Sequence, residues 1–217
     1  MKPLADCRLY TFVDTAYLHG RSPAALARLL CEGGSDLIQF RAKGWPSGQV
    51  LREVQSLVAV TRDAGVGLVV NDHYDIARAV GAPFCHLGQE DFFQAGHGRI
   101  EELSPGTGPA ADVQVGLSTH APEQALRAIT AGASYLGVGP VYATGTKPTA
   151  APVTLDYVRW AARHVTIPWF AIGGIHLGNL DEVLSAGARR ICVVSAILNA
   201  PDVAQACRAF RDRLESV

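Results

Sequence analysis

Cationic side chains gather at two places in the chain. Arg41 and Lys43 stand two apart just after an apolar run, and Lys147 lies near the hydroxyls of Thr144 and Thr146. Residues two apart at the end of an extended segment point to the same side. A guanidinium, two ammoniums and two threonine hydroxyls suit a phosphate or diphosphate. Taken singly, Arg41 or Lys43 reads better as a rim salt bridge; the three cations together do not. The carboxylates Asp72 and Asp91 follow two successive apolar runs. Mg²⁺ takes one or two carboxylates and completes its shell with water and phosphate oxygens. Two aspartates beside a cationic pocket fit that recipe, the alternatives being a helix cap for Asp91 and a helix-entry residue for Asp72. A third group lies near the C-terminus, in AIGGI (Ala171–Ile175) and VVSAI (Val193–Ile197). Gly173 and Gly174 let backbone N–H groups approach an anion, and Ser195 offers a hydroxyl and a helix cap.

Eight apolar runs position these groups: Leu9–Val13, Asp36–Phe40, Gly67–Val70, Phe84–Leu87, Val113–Leu117, Tyr135–Val138, Trp169–Ile172 and Ile191–Val194. They are continuous rather than alternating, as strands covered on both faces require. Helical patterns separate most of them. Ser22-Pro23 opens one and Gly33-Gly34 ends it; the others are Val50–Ala64, Tyr74–Val80, Pro122–Ala131, Leu155–His164, Leu180–Ala186 and Val203–Leu214. The segment Asp91–Ala111 reads as a loop with at most a short helix around Arg99–Leu103. Strand–helix alternation implies parallel pairing, and eight units close into a single-domain (β/α)8 TIM barrel spanning residues 1–217. An open doubly wound sheet is the competing arrangement. A barrel builds its site where its strands end. Asp14, Gln39, Arg41, Lys43, Asn71, Asp72, Asp91, Ser118, His120, Thr144, Lys147, Gly174 and Ser195 all fall at or after run ends. The pattern gives two anionic sites on one rim, hence a transferase joining two phosphorylated small molecules.

Composition narrows the setting. With 19 Lys and Arg against 20 Asp and Glu, the 217-residue chain has a formal net charge of -1. It has no global attraction for nucleic acid or an anionic membrane. No apolar run reaches the length of a membrane span, and MKPLADCRLYTFVD lacks the apolar core of a signal peptide, so the cytoplasm is expected. The five cysteines show no metal or redox spacing and read as free thiols.

The motifs QFRAK (Gln39–Lys43), VND (Val70–Asp72), HLGQED (His86–Asp91), GLSTH (Gly116–His120), GVGPVYATGTK (Gly137–Lys147), AIGGI and VVSAI resemble, in that order, the thiamine phosphate synthase (thiamine-phosphate pyrophosphorylase) family. The resemblance runs from the first strand to the last helix. It implies condensation of hydroxymethylpyrimidine diphosphate with a thiazole phosphate. Gln39, Phe40, Arg41, Ala42, Lys43, Asn71 and Lys147 would hold the diphosphate substrate, and Ser118 would sit near the pyrimidine. Asp72 and Asp91 would ligate Mg²⁺. Thr144, Gly145, Thr146, Gly173, Gly174, Val194 and Ser195 would hold the thiazole phosphate. The implied mechanism is dissociative and needs no nucleophilic side chain; Arg41, Lys43, Ser118 and Lys147 would act in it. His86 reads as facing the core and His120 as a loop residue. AAPVTL (Ala150–Leu155) lacks the glycine that many members carry before the next helix. A related thiazole tautomerase would carry a His where this chain has Pro140. A ligand-sensing barrel is the non-enzyme alternative, and a homo-oligomer fits either.

Overall fold

Eight apolar runs become eight parallel strands, and each strand hands the chain to the next through a crossover on the outside. The computed structural model describes residues 1–104, 113–145 and 151–216. In chain order the units are β1 (Leu9–Asp14) and α1 (Pro23–Glu32), β2 (Leu37–Arg41) and α2 (Ser47–Asp63), β3 (Gly67–Asn71) and α3 (Tyr74–Val80), and β4 (Phe84–Leu87) and α4 (Gln89–Gln94). They continue with β5 (Gln114–Thr119) and α5 (Pro122–Thr130), β6 (Tyr135–Val138) and α6 (Thr154–His164), β7 (Trp169–Ile172) and α7 (Leu180–Ser185), β8 (Ile191–Cys192), α8 (Ser195–Leu198) and α9 (Val203–Glu215). Sequential neighbours pair, and β1 pairs with β8, so the sheet closes into a barrel without an edge.

The strands are apolar throughout because both faces are covered; all six residues of β1 are buried. Aromatic rings fill the barrel. Tyr10 meets Phe170 edge-on at 5.2 Å, and Phe170 meets Tyr135 at 6.0 Å. Gly116 leaves the room Tyr135 needs: a Cβ there would fall 2.1 Å from the tyrosine ring.

The N-terminal rim closes around one carboxylate. Asp36, buried just before β2, accepts from Lys2 Nζ at 2.8 Å, Arg8 N at 2.8 Å, Leu9 N at 3.1 Å and Arg211 Nη1 at 2.7 Å. Burial alone would raise its pKa; the Lys2 ammonium, the two amides and the Arg211 guanidinium outweigh that and hold it below the ordinary value. This joins the first residues, β1, β2 and α9.

Several boundaries differ from those read in the sequence. β2 begins at Leu37 and takes in Arg41, because Asp36 serves the rim below. β5 runs two residues further, to Thr119, and β8 is only Ile191–Cys192. A helix, α4, stands where a loop beginning at Asp91 is expected. Glu90 and Asp91 in its first turn favour that helix N-terminus, and Phe92 is buried beneath it. The short helix expected around Arg99–Leu103 is a 3₁₀ turn at Ile100–Leu103. All five cysteines are free, and among the described residues no helix is long and apolar enough to cross a membrane.

Candidate active site

A cleft opens at the C-terminal ends of the strands, with about 940 Å³ of free space when the open solvent at its mouth is included. Its inner part is aromatic. Tyr10, Phe12 and Phe170 line it with His86 and Cys192. Gln39 Nε2 donates to Tyr10 Oη at 2.5 Å, and the Tyr10 and Tyr135 hydroxyls lie 3.4 Å apart. Burial drives both phenols well above their ordinary pKa, so they stay protonated hydroxyls.

The cations sit higher. Arg41 lines the cleft and donates from Nη1 to Asp14 Oδ2 at 2.7 Å. Asp14 is 1% exposed, and its other oxygen accepts from Ala16 N at 2.9 Å. A guanidinium carries five N–H donors, so the pair fixes Arg41 in place without using up its donors. Lys43 reaches Asp72 at 2.5 Å, and both are exposed. Asp72 follows β3 with φ 64°, a left-handed conformation that aspartate tolerates better than most residues. Its N–H is held by His86 O at 2.9 Å.

The remaining expected positions are distributed as follows. Asn71, Ser118, Thr144, Gly173, Gly174, Val194 and Ser195 line the same cleft as Gln39 and Arg41. Ser118 Oγ accepts from Gln89 N at 3.4 Å, which ties β5 to the start of α4. Phe40 and Ala42 alternate with Gln39 and Arg41 and so lie off the cleft; Phe40 is buried against Trp45. Gly145 is exposed beside Thr144. Thr146 and Lys147 lie outside the described residues. Ser195 opens α8 as its first residue, without a side-chain capping bond.

Asp91 lies inside α4 rather than at its cap, exposed, with Oδ2 2.6 Å from where a Cβ on Gly88 would stand. Asp72 and Asp91 offer hard oxygen donors, and Asp72 already holds a cation in the Lys43 ammonium. Among the described residues no three His, Cys, Asp or Glu side chains gather as a metal-ligand set. Two carboxylates are the donor type that Mg²⁺ takes, its other ligands coming from water and substrate.

Sequence reading leaves several lining residues out. Tyr10, Phe12, Phe170 and Ile172 line the cleft; so do His120, expected at the rim as a loop residue, and His86, expected to face the core. The His120 ring hydrogen-bonds Gly139 O, next to the cis Gly139–Pro140 peptide. Two-residue alternation carries the signal: Tyr10, Phe12 and Asp14 share one face of β1, as Gln39 and Arg41 share one face of β2.

Residues 9–197 match the family model described as thiamine monophosphate synthase. The chain is 48% identical to a thiamine-phosphate synthase of Thermus thermophilus over 186 residues, 85% of each chain. It is 42% identical to that of Chloroflexus aurantiacus over 209 residues, covering 96% of this chain and 93% of the relative. Among solved structures it superposes on a thiamine phosphate pyrophosphorylase from Pyrococcus furiosus with a TM-score of 0.85 at 32% identity, covering 98% of each chain.

Proposed function

The chain belongs to the thiamine monophosphate synthase family, and from that premise we propose that it joins hydroxymethylpyrimidine diphosphate to a thiazole phosphate, plain or carboxylated, with release of pyrophosphate and, from the carboxylated form, of CO₂ as well. It is an enzyme, a transferase of the thiamine-phosphate synthase type. One observation carries the substrate assignment: a single cleft is lined both by a fixed guanidinium from β2 and by the glycine and serine loops after β7 and β8. Two anionic partners can then meet in one enclosure.

The chemistry follows from these groups. The apolar floor at Tyr10, Phe170 and Ile172 takes flat rings and excludes water. The bond between the pyrimidine methylene and the diphosphate oxygen breaks, and the electron pair leaves with pyrophosphate. The thiazole nitrogen then donates its lone pair to the methylene carbon and forms the new C–N bond. Arg41 and Lys43, joined by Lys147, which follows β6 in the sequence, neutralise the charge that develops on the leaving group. Lys43 exchanges its exposed partner Asp72 for the diphosphate, which frees that carboxylate. When bound through Asp72 and Asp91, Mg²⁺ supplies further neutralisation of the same charge. Backbone N–H groups near Gly174 and Ser195 hold the thiazole phosphate. No side-chain nucleophile is required. Both substrates are water-soluble phosphates, so the cytoplasm is the setting this reading implies.

The test is incubation of the full chain with both phosphorylated precursors and Mg²⁺, followed by chromatographic detection of thiamine phosphate and pyrophosphate. Equimolar formation of the two is expected. Absence of product with both thiazole phosphates would sink the reading.

A further inference from the structure

The loop after β7 is held from behind. Ile172 O accepts from Val141 N at 2.8 Å, and Gly173 O accepts from Tyr142 N at 3.0 Å, so β6–β7 pairing continues past the strand ends. The next carbonyl, Gly174 O, has no strand to meet. It accepts from Asn179 Nδ2 at 2.9 Å. The same amide accepts from His176 N through Oδ1 at 2.8 Å. Asn179 stands at the N-cap position of α7, yet its side chain makes no capping bond to that helix. It turns back to the loop instead.

The consequence is geometric. Both peptides that flank Gly174 are trans, so N–H and C=O point in opposite directions across each. With the carbonyls of Gly173 and Gly174 taken by Tyr142 and Asn179, the N–H groups of Gly174 and Ile175 are turned the other way. Gly173, Gly174 and Ile175 all line the cleft. Among the described residues neither N–H meets a hydrogen-bond partner. We infer that Asn179 is a positioning residue, which orients the Gly174 and Ile175 amides toward a phosphate monoester bound in the cleft. The inference rests on the two-phosphate reading above for the identity of that ligand, and on the loop geometry for everything else. A carboxamide suits the role, because it donates to one backbone group from its nitrogen and accepts from another at its oxygen.

The experiment separates positioning from helix capping. The full ¹⁵N-labelled chain and its Asn179→Ala and Asn179→Asp variants are titrated with inorganic phosphate, and the Gly174 and Ile175 amide resonances are followed. If Asn179 served as a cap, aspartate would substitute well, since Asp is among the best N-cap residues. As a positioning residue it gives the reverse order. Asn179→Ala weakens phosphate binding about tenfold, the scale of one lost hydrogen bond. Asn179→Asp weakens it further, because it keeps the acceptor for His176 but sets a carboxylate against Gly174 O. Melting temperatures should run the other way, with the Asp variant at least as stable as the Ala variant. In turnover, KM for the thiazole phosphate rises by the same factor while kcat and the KM for the diphosphate hold within about twofold. Reaction of the unphosphorylated thiazole alcohol is unaffected. Phosphate affinity that is unchanged in both variants, or restored by aspartate, overturns the assignment, as does a wild type that binds no phosphate at these amides. A wild type that binds phosphate but makes no product sinks the substrate reading and leaves Asn179 judged on the titration alone.

Discussion

The two rims of this barrel treat a buried carboxylate differently. At the N-terminal rim Asp36 meets four donors, two of them backbone N–H groups, and nothing is left over for a ligand. At the C-terminal rim Asp14 is buried as deeply, but it fixes a guanidinium that lines a cleft. Nearby, Asp72 and Lys43 pair in the open on strained backbone. Polar groups that are fully satisfied hold a fold together; groups that keep unused capacity are available to a substrate. The difference also fits the general division of labour in (β/α)8 barrels, where the C-terminal face carries the chemistry and the N-terminal face carries stability.

The largest effect should come from breaking the closed rim. Asp36→Ala leaves the Arg211 guanidinium and two backbone amides without their partner. We expect a loss of about 3–5 kcal/mol in unfolding free energy, the usual result of removing one half of a buried pair, with turnover per folded molecule unchanged within about twofold. The pH dependence sharpens this. The folded-state pKa of Asp36 is lowered from 3.8, so its contribution is fully present above the unfolded value and disappears as pH falls through the folded one. The stability gap between wild type and Asp36→Asn should therefore narrow on acidification below about pH 4. Urea denaturation at a series of pH values measures it. A gap that stays constant or widens would show that Asp36 is not the group being titrated.

The next effect belongs to the open rim and should appear in rate rather than stability. Asp72→Asn keeps a residue that tolerates φ 64°, and it removes an exposed ion pair worth ~0–1 kcal/mol. Melting should hardly move. Turnover should fall ~10²-fold, the scale of one strong electrostatic contact to developing charge, and the Mg²⁺ concentration needed for half-maximal rate should rise. Normal rate and normal Mg²⁺ dependence would make Asp72 a helix-entry residue before α3 and nothing more.

The closed barrel is legible in the sequence because continuous apolar runs and glycine-ended helices repeat along the chain, and that repetition survives small errors in boundaries. The single-residue shift of β2 is not legible, since Asp36 looks like the first polar residue of a strand until the donors around it are seen. α4 escapes because QEDFFQ is short and polar and lies between Gly88 and Gly96. Its acidic first turn is the available signal. In the cleft, residue types at strand ends point to Arg41, Ser118 and Ser195, which do line one enclosure. Tyr10, Phe12 and His86 stay hidden, because a strand buried on both faces gives no polarity pattern to say which side faces in. Asn179 is hidden for a different reason: it acts through a bond to a backbone carbonyl, which has no sequence signature.

The smallest effect tests whether strain at the C-terminal rim is always tied to function. Thr154 opens α6 with φ 61°. A β-branched residue is a steric outlier there. Thr154 Oγ1 accepts from Asp156 N at 3.3 Å, a long bond at an exposed site, which offsets little of the strain. Asparagine tolerates the left-handed region and keeps an acceptor, so Thr154→Asn should stabilise by about 1 kcal/mol, the low end of what such a conformation costs. Thr154→Gly relieves the same strain but loses the acceptor and gains unfolded-state freedom, so it should stabilise by about half as much. For a chain of this length the asparagine variant should then melt ~2–4 °C higher. Turnover should not change in either variant. Asp72 and Thr154 thus adopt the same backbone conformation at the same end of the barrel, and asparagine separates them: at 72 it leaves stability alone and removes activity, at 154 it raises stability and leaves activity alone. If Thr154→Asn instead lowered turnover at full stability, strain at this rim would serve the reaction at both places, and the division between held and available groups would have to be redrawn to include the start of α6.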